Sequence, residues 1–185
     1  MKWGDYSLSW ARPLKSILAI FDYKSLGFSF HHLKSSNTTF IDKEFEEKKK
    51  LFKDFKSYKN FFYQMGIIID HNLRKKFIEK EFEKISKRKN ILIESNSKLL
   101  DEVTGLVEKP NILLCKFNEI FLNIPKEILI ITMQYHQKYF PTFNQKGKIT
   151  NEFLVVANNK DSNGFIKIGN ERVVEARLSD AKFFW

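Results

Sequence analysis

The chain has 185 residues, a formal net charge of +10 and a pI of about 9.5. Its 43% hydrophobic content and 19 Phe exclude a disordered chain, and its length allows one substantial core or two small lobes. The charge favours a polyanionic partner such as nucleic acid or an anionic surface, although a compositional bias toward Lys, Phe, Ile and Asn produces the same balance, and both readings stay open on composition alone.

The start, MKWGDYSLSW, has no apolar stretch of the kind that opens a secretion signal. Residues 14–21 (LKSILAIF) follow Pro13 and are mostly apolar, so they read as a central strand. Asp22, Tyr23 and Lys24 are turn material. Residues 26–33 (LGFSFHHL) alternate and predict a second strand, hence a hairpin. A polar loop is expected at 35–39. From Glu44 the spacing of Phe52, Phe55, Tyr58 and Phe62 predicts a helix that Gly66 stops. Ile67, Ile68 and Ile69 read as a short buried strand, and Asp70 as the cap of the next helix. This second helix is charged, covers His71–Lys89 and has an apolar stripe of Leu73, Phe77, Phe82 and Ile85. Lys84, Lys87, Arg88 and Lys89 gather at its C-terminal end, where the helix dipole favours cations without any ligand.

Residues 90–96 read as a linker-like break. Ser97 is the expected cap of a helix through Val107, its buried side made of Leu99, Leu100, Val103, Leu106 and Val107, and Pro110 ends it. Asn111–Lys116 is a strand that carries the single cysteine, Cys115, which reads as a small buried hydrophobe. A loop with aromatic anchors covers 117–123. Residues 128–141 (ILIITMQYHQKYFP) then form a helical pattern framed by Pro125 and Pro141, with Leu129, Thr132, Met133, His136 and Phe140 on one face. A short strand is expected at 139–143, a turn at Lys146, Gly147 and Lys148, a strand at 153–157 (FLVVA) and a turn at 161–164. The last helix is expected from about Asn170 to the end, with Gly169 at its boundary. Both chain ends are abrupt, and the final Phe183, Phe184 and Trp185 stop in mid-pattern, which reads as a segment of a longer protein.

These elements define an α+β class of mixed strands and helices, with neither a Rossmann glycine fingerprint nor a P-loop. Two lobes are expected, 1–93 and 94–185. No apolar run approaches the roughly 20 residues that cross a bilayer, so no membrane association and a cytoplasmic location are expected.

Three groups of residues have the chemistry of a site. His136, Gln137, Lys138 and Tyr139 leave one helix end together, so His136 and Lys138 suit phosphate and Tyr139 or Phe140 suits stacking on a base; the alternative is that Met133, His136 and Phe140 pack inward while Gln137 and Lys138 face solvent. Arg172 is a candidate anion contact on the last helix, where Arg177 and Asp180 have the spacing of an ion pair. Arg12 lies between an aromatic residue and Pro13, and reads either as an anion contact or as the partner of a buried carboxylate. The four His are scattered and no Ser sits in a nucleophile elbow, so neither a catalytic residue nor a metal site is assigned.

Several stretches in order resemble the beta subunit of the bacterial heterotetrameric glycyl-tRNA synthetase: MKWG and WARPL, then LLDEVTGLVEKP, IPKEILIITMQYHQKYFP, FLVVANNKDS and IGNERVVEARLSDAKFFW. Together they span nearly the whole chain. The resemblance implies an internal fragment of a longer subunit that supports tRNA binding and glycyl-tRNA formation, and that is not catalytic alone. It also implies the alpha subunit and tRNA(Gly) as partners in a heterotetramer. ATP and Mg are expected at the alpha subunit, where the adenylate forms, and no cofactor on this fragment. Under this reading Arg12, His136, Lys138, Tyr139 and Arg172 become tRNA-contact candidates. One departure stands out: after the second strand the family pattern has a Gly-His-Arg-Phe-like tetrad, whereas this chain continues Ser36-Asn37-Thr38-Thr39-Phe40 into Ile41.

Overall fold

A computed structural model describes residues 1–11, 14–41, 48–94 and 96–185. The chain divides into two compact units, Met1–Met65 and Gly66–Trp185.

The first unit is built from short strands: β1 (Ile17–Leu18), β2 (Ile20–Phe21), β3 (Lys24–Ser25), β4 (Ser29–Phe30), β5 (Leu33–Ser36), β6 (Thr38–Phe40) and β7 (Lys49–Leu51). The expected turn forms at Asp22 and Tyr23, at φ 45° and 61°, but it joins β2 to β3; the expected second strand over 26–33 is broken into β4, a turn at His31 and His32, and the start of β5. Two left-handed residues match the twist of the strands they join. The expected single strand over 14–21 is instead two short pieces, because β1 pairs in parallel with β5 and β2 pairs with β3. The expected polar loop at 35–39 contributes to β5 and β6. Its hydroxyls explain this: Ser35 Oγ accepts from Phe28 N at 2.8 Å and donates to Leu26 O at 2.5 Å, so a polar run ties the strands together.

Helix α1 (Phe55–Gln64) starts well after Glu44, since β7 occupies the preceding residues; the expected helical residues 44–47 lie outside the described residues. Asp54 caps it in a reciprocal box with Ser57, accepting from Ser57 N at 2.6 Å. Phe52, 2% exposed, packs edge-on against Tyr58 and Phe61 and stacks on Phe62.

In the second unit Ile67, Ile68 and Ile69 form no strand. Ile68 N donates to Glu108 O at 2.9 Å, while the carbonyls of Ile68 and Ile69 accept from the Arg74 guanidinium. Helix α2 (His71–Lys89) has the expected bounds and the expected Asp70 cap, which accepts from Leu73 N at 2.9 Å. Its buried face differs from the expected stripe. Arg74, Ile78, Phe82 and Ile85 are buried, whereas Leu73 and Phe77 are 54% and 38% exposed. Residues 74, 78, 82 and 85 are helical neighbours, and a buried arginine disguises that stripe in the sequence.

The expected linker at 90–96 contains an edge strand, β8 (Leu92–Ile93). Helix α3 (Ser97–Leu106) is capped by Asn96 rather than Ser97, with Asn96 Oδ1 accepting from Leu99 N at 3.0 Å. Leu106 is 49% exposed, not buried. Helix α2 packs with α3 in one hydrophobic cluster. The division therefore falls at Met65/Gly66, where the sequence suggested residue 93.

Strand β9 (Asn111–Lys116) is followed by a 3-10 turn, Glu119–Asn123, anchored by buried Phe117 and Phe121. Helix α4 (Lys126–Ile130) runs into π-helical turns over Ile131–His136. Next come β10 (Phe140–Phe143), β11 (Ile149–Ala157) and α5 (Phe165–Phe184). The sheet order is β8-β10-β11-β9, with every pairing antiparallel. Pro141 is buried within β10 at a register irregularity, the setting that tolerates a proline inside a sheet.

Both faces of this sheet are covered, which is why FLVVA and NILLC are continuously apolar. Leu154, Val156, Ile112, Leu114 and Phe140 pack with α2 and α3; Phe153, Val155, Leu113 and Cys115 pack with α5 and the π-helical segment. The twofold alternation of a strand sends neighbouring residues to opposite cores. The architecture is α+β, as expected.

Helix α5 begins at Phe165, five residues before the expected start, and Gly169 lies in its interior. Gly164 makes the entry at φ 75°, and the Asp161 carboxylate accepts from Ile166 N at 3.0 Å and Lys167 N at 2.8 Å. A carboxylate on the first amides of a helix satisfies donors that have no partner within it. Asp161→Ala is expected to lower the unfolding free energy by about 1–2 kcal/mol, measured as a lower urea midpoint at unchanged slope.

Candidate functional site

The exit of the π-helical segment opens onto a cleft of about 350 Å³. Val103, Leu106 and Val107 form one wall. Gln137, Lys138 and Tyr139 form the second, the end of β11 through Asn159 the floor, and Ile166 and Asn170 of α5 the far side. Its character is mixed: apolar walls carry amides from Gln137, Asn158, Asn159 and Asn170 and one ammonium from Lys138. Asn158 is already committed, its Oδ1 accepting from Glu108 N at 2.7 Å and Lys109 N at 3.0 Å.

The π-helical turns place these residues. Tyr139 N donates to Met133 O at 2.9 Å, closing the segment, and Lys138 takes φ 62°. A left-handed lysine is an uncommon, sterically costly conformation, held here by the closure on one side and β10 on the other. Wider turns mean less rotation per residue than in an α-helix. Leu129, Thr132 and Met133 therefore stay on the buried face as expected, His136 leaves it for solvent, and Phe140 is buried as a strand residue.

The candidates separate accordingly. Lys138 lies on the cleft, with Nζ 3.0 Å from Glu102 Oε1 and 5.5 Å from the Tyr135 ring centroid. Both partners of that ion pair are substantially exposed, so the pair contributes at most about 1 kcal/mol and opens readily to a competing anion. His136 is exposed, its ring edge-on to Tyr135. Tyr139 does not suit base stacking: it is 8% exposed, stacks on Phe153 at 5.3 Å and donates its hydroxyl to Asn170 Oδ1. Burial first, and nearby Cys115 second, push its phenol above the ordinary range. Arg172 is exposed on α5 and does not line the cleft. Arg177 and Asp180 are both exposed, and among the described residues no ion pair joins them. Arg12 lies outside the described residues.

Cys115 is fully buried, as expected. Burial pushes its thiol up to about 12, with Glu171 adding to the shift and Lys167 opposing it. Sequence reasoning took Asn170 only as the start of the last helix, and it missed Gln134. Asn170 holds Tyr139 and is itself tied by Nδ2 to Ile166 O at 2.6 Å; Gln134 bridges Asn96 at 3.1 Å and Glu94 at 2.6 Å. For Gln134 the available signal was an amide within an otherwise apolar helical run.

The fold and the cleft define a class: a basic α+β segment whose candidate surface offers amides and the Lys138 ammonium. Across residues 1–185 the chain matches the family model described as glycyl-tRNA synthetase beta subunit. The glycine–tRNA ligase beta subunit of Rickettsia akari (strain Hartford) is 39% identical over 186 residues, covering 100% of this chain and 28% of the relative. That of Rickettsia africae (strain ESF-5) is 40% identical over 185 residues, with the same coverage. The chain belongs to the glycyl-tRNA synthetase beta subunit family. It spans about 28% of the length of the curated relatives it matches.

Proposed function

We propose that this chain supplies part of the tRNA-handling surface of a glycine–tRNA ligase beta subunit. In this reading it supports glycyl-tRNA formation with an alpha subunit and tRNA(Gly) in a heterotetramer, while the ATP- and Mg-dependent adenylate chemistry belongs to the alpha subunit. The observation that carries the reading is the family match across residues 1–185 on a chain of net charge +10. Lys138 is the favoured phosphate contact, because its partner Glu102 holds it only in an exposed pair.

The test is tRNA binding by the alpha–beta complex at a series of salt concentrations. Affinity is expected to fall linearly on logarithmic axes, since phosphate contacts release counterions. Charge reversal of Lys138 and Arg172 together is expected to weaken binding roughly tenfold or more and to make the slope shallower by about one to two. Salt-independent binding, or none, would sink the reading.

A second reading is architectural: the segment joins parts of the assembly. It is favoured by the exposure of Phe183, Phe184 and Trp185 at 85%, 85% and 75%. It forecasts unchanged tRNA affinity on charge reversal and impaired assembly when those three rings are truncated.

A further inference from the structure

The geometry points to a second RNA-contacting site, an aromatic cleft in the first unit that stacks the bases of unpaired nucleotides. It rests on the RNA-binding reading above and adds to it a place and a chemistry.

The cleft has a volume of about 310 Å³ and is lined by Trp3, Tyr6, Leu8, Trp10, Leu14 and His32. Four of these six side chains are flat rings. Tyr6 and His32 stack at 3.6 Å with only 9° between their planes, making a two-ring wall. The loop carrying the other rings is closed by its backbone, with Trp10 N donating to Met1 O at 3.0 Å and Lys2 bridging Ser9, and by the Trp3 indole, whose Nε1 donates to Trp10 O at 3.1 Å. The β4–β5 hairpin tip extends the same surface, with His31 at φ 51° and the Phe30 ring edge-on to it at 4.9 Å. Tyr6 and Trp10 nevertheless remain 53% and 51% exposed. Single exposed rings are ordinary, but rings gathered around a cleft mark a contact surface.

The chemistry selects the occupant. Flat π faces suit a planar base, on which stacking is tolerant of sequence. Phosphate neighbours are provided for. Lys2 adjoins Trp3, Lys34 follows His32 by two residues, and both are exposed. Every described lysine of this unit is exposed, and they outnumber its described carboxylates, Asp5, Asp22 and Asp54. A base already stacked within a duplex cannot reach such rings, so the ligand is a single strand or an unpaired tRNA segment.

Two of the chain's three tryptophans line the cleft, and this supplies the measurement. In a Trp185→Phe background, hexa-adenylate RNA is expected to quench tryptophan fluorescence saturably, and an RNA duplex of equal length to do so far less. Tyr6→Ala is expected to raise the hexa-adenylate Kd roughly tenfold, and Tyr6→Phe to restore it, because one ring is worth on that order per stacked base. Should Tyr6→Ala fail to fold, ultraviolet crosslinking of the unaltered chain to the same RNA decides: crosslinked peptides within residues 1–10 or at His32 support the site, and crosslinks only elsewhere overturn it. Unchanged RNA affinity with loss of self-association in Tyr6→Ala would make the cleft a protein contact and overturn the inference. Salt-dependent tRNA binding without crosslinks at the cleft overturns this inference alone, whereas absence of tRNA binding by the complex overturns the broader reading.

Discussion

Phe140→Ala is expected to lower the unfolding free energy of the second unit by about 3–5 kcal/mol, the range for truncating a fully buried phenylalanine. The ring is 1% exposed and meets Phe82 edge-on at 4.8 Å, in the cluster formed by α2, α3 and the sheet. Its removal takes away contacts from both helices and the sheet at once and leaves a cavity in a close-packed cluster. Denaturant unfolding followed by circular dichroism measures it. A loss below about 1 kcal/mol would show that the sheet face collapses onto the gap. Phe140→Leu, closer in volume, is expected to recover most of the loss.

The second large effect is expected at Arg74. This side chain is 9% exposed, and its Nε donates to Thr104 O at 2.9 Å while its Nη1 reaches the carbonyls of Ile68 and Ile69. It ties α2 to the end of α3 and to the strandless isoleucine segment. Arg74→Ala leaves these acceptors without their donor in a poorly solvated place, at a cost of about 2–4 kcal/mol. Arg74→Lys keeps the charge but has no planar fork, so it is expected to recover only part of the stability. Hydrogen exchange adds a readout that simple loss of packing would not move. The amide of Ile68, bonded to Glu108 O, is expected to lose protection together with the end of α3. Equal stability of the Ala and Lys variants would remove the hydrogen-bonding account.

Legibility in the sequence depended on how local the cause was. Helix α2 and strand β9 fall at their expected bounds, because cap, period and terminating residues lie within the elements themselves. The start of α5 is hard to read because the carboxylate that satisfies its first amides, Asp161, lies four residues ahead of the helix, while Gly169-Asn170 imitates a boundary inside it. The first unit was the least legible. Its strands are two to four residues long and draw order from cross-chain hydroxyls, which leave no period to read. For the candidate site, Lys138 lines the cleft, while Tyr139 is spent on Phe153 and Asn170.

The sequence by itself determined the family, the α+β class and the excess of positive charge, since motif order and composition need no folding to be read. Which side chains remain available was decided only by the tertiary structure. The π-helical turns over Ile131–His136 change the rotation per residue and turn His136 outward, Lys138 toward Glu102 and Tyr139 inward. The rings near the start gather into a cleft because a backbone bridge at Lys2 and Ser9 brings Trp3 and Trp10 together and places Tyr6 against His32. Local residues set propensity and charge; contacts between residues distant in the chain set exposure, and exposure decides what a partner can touch.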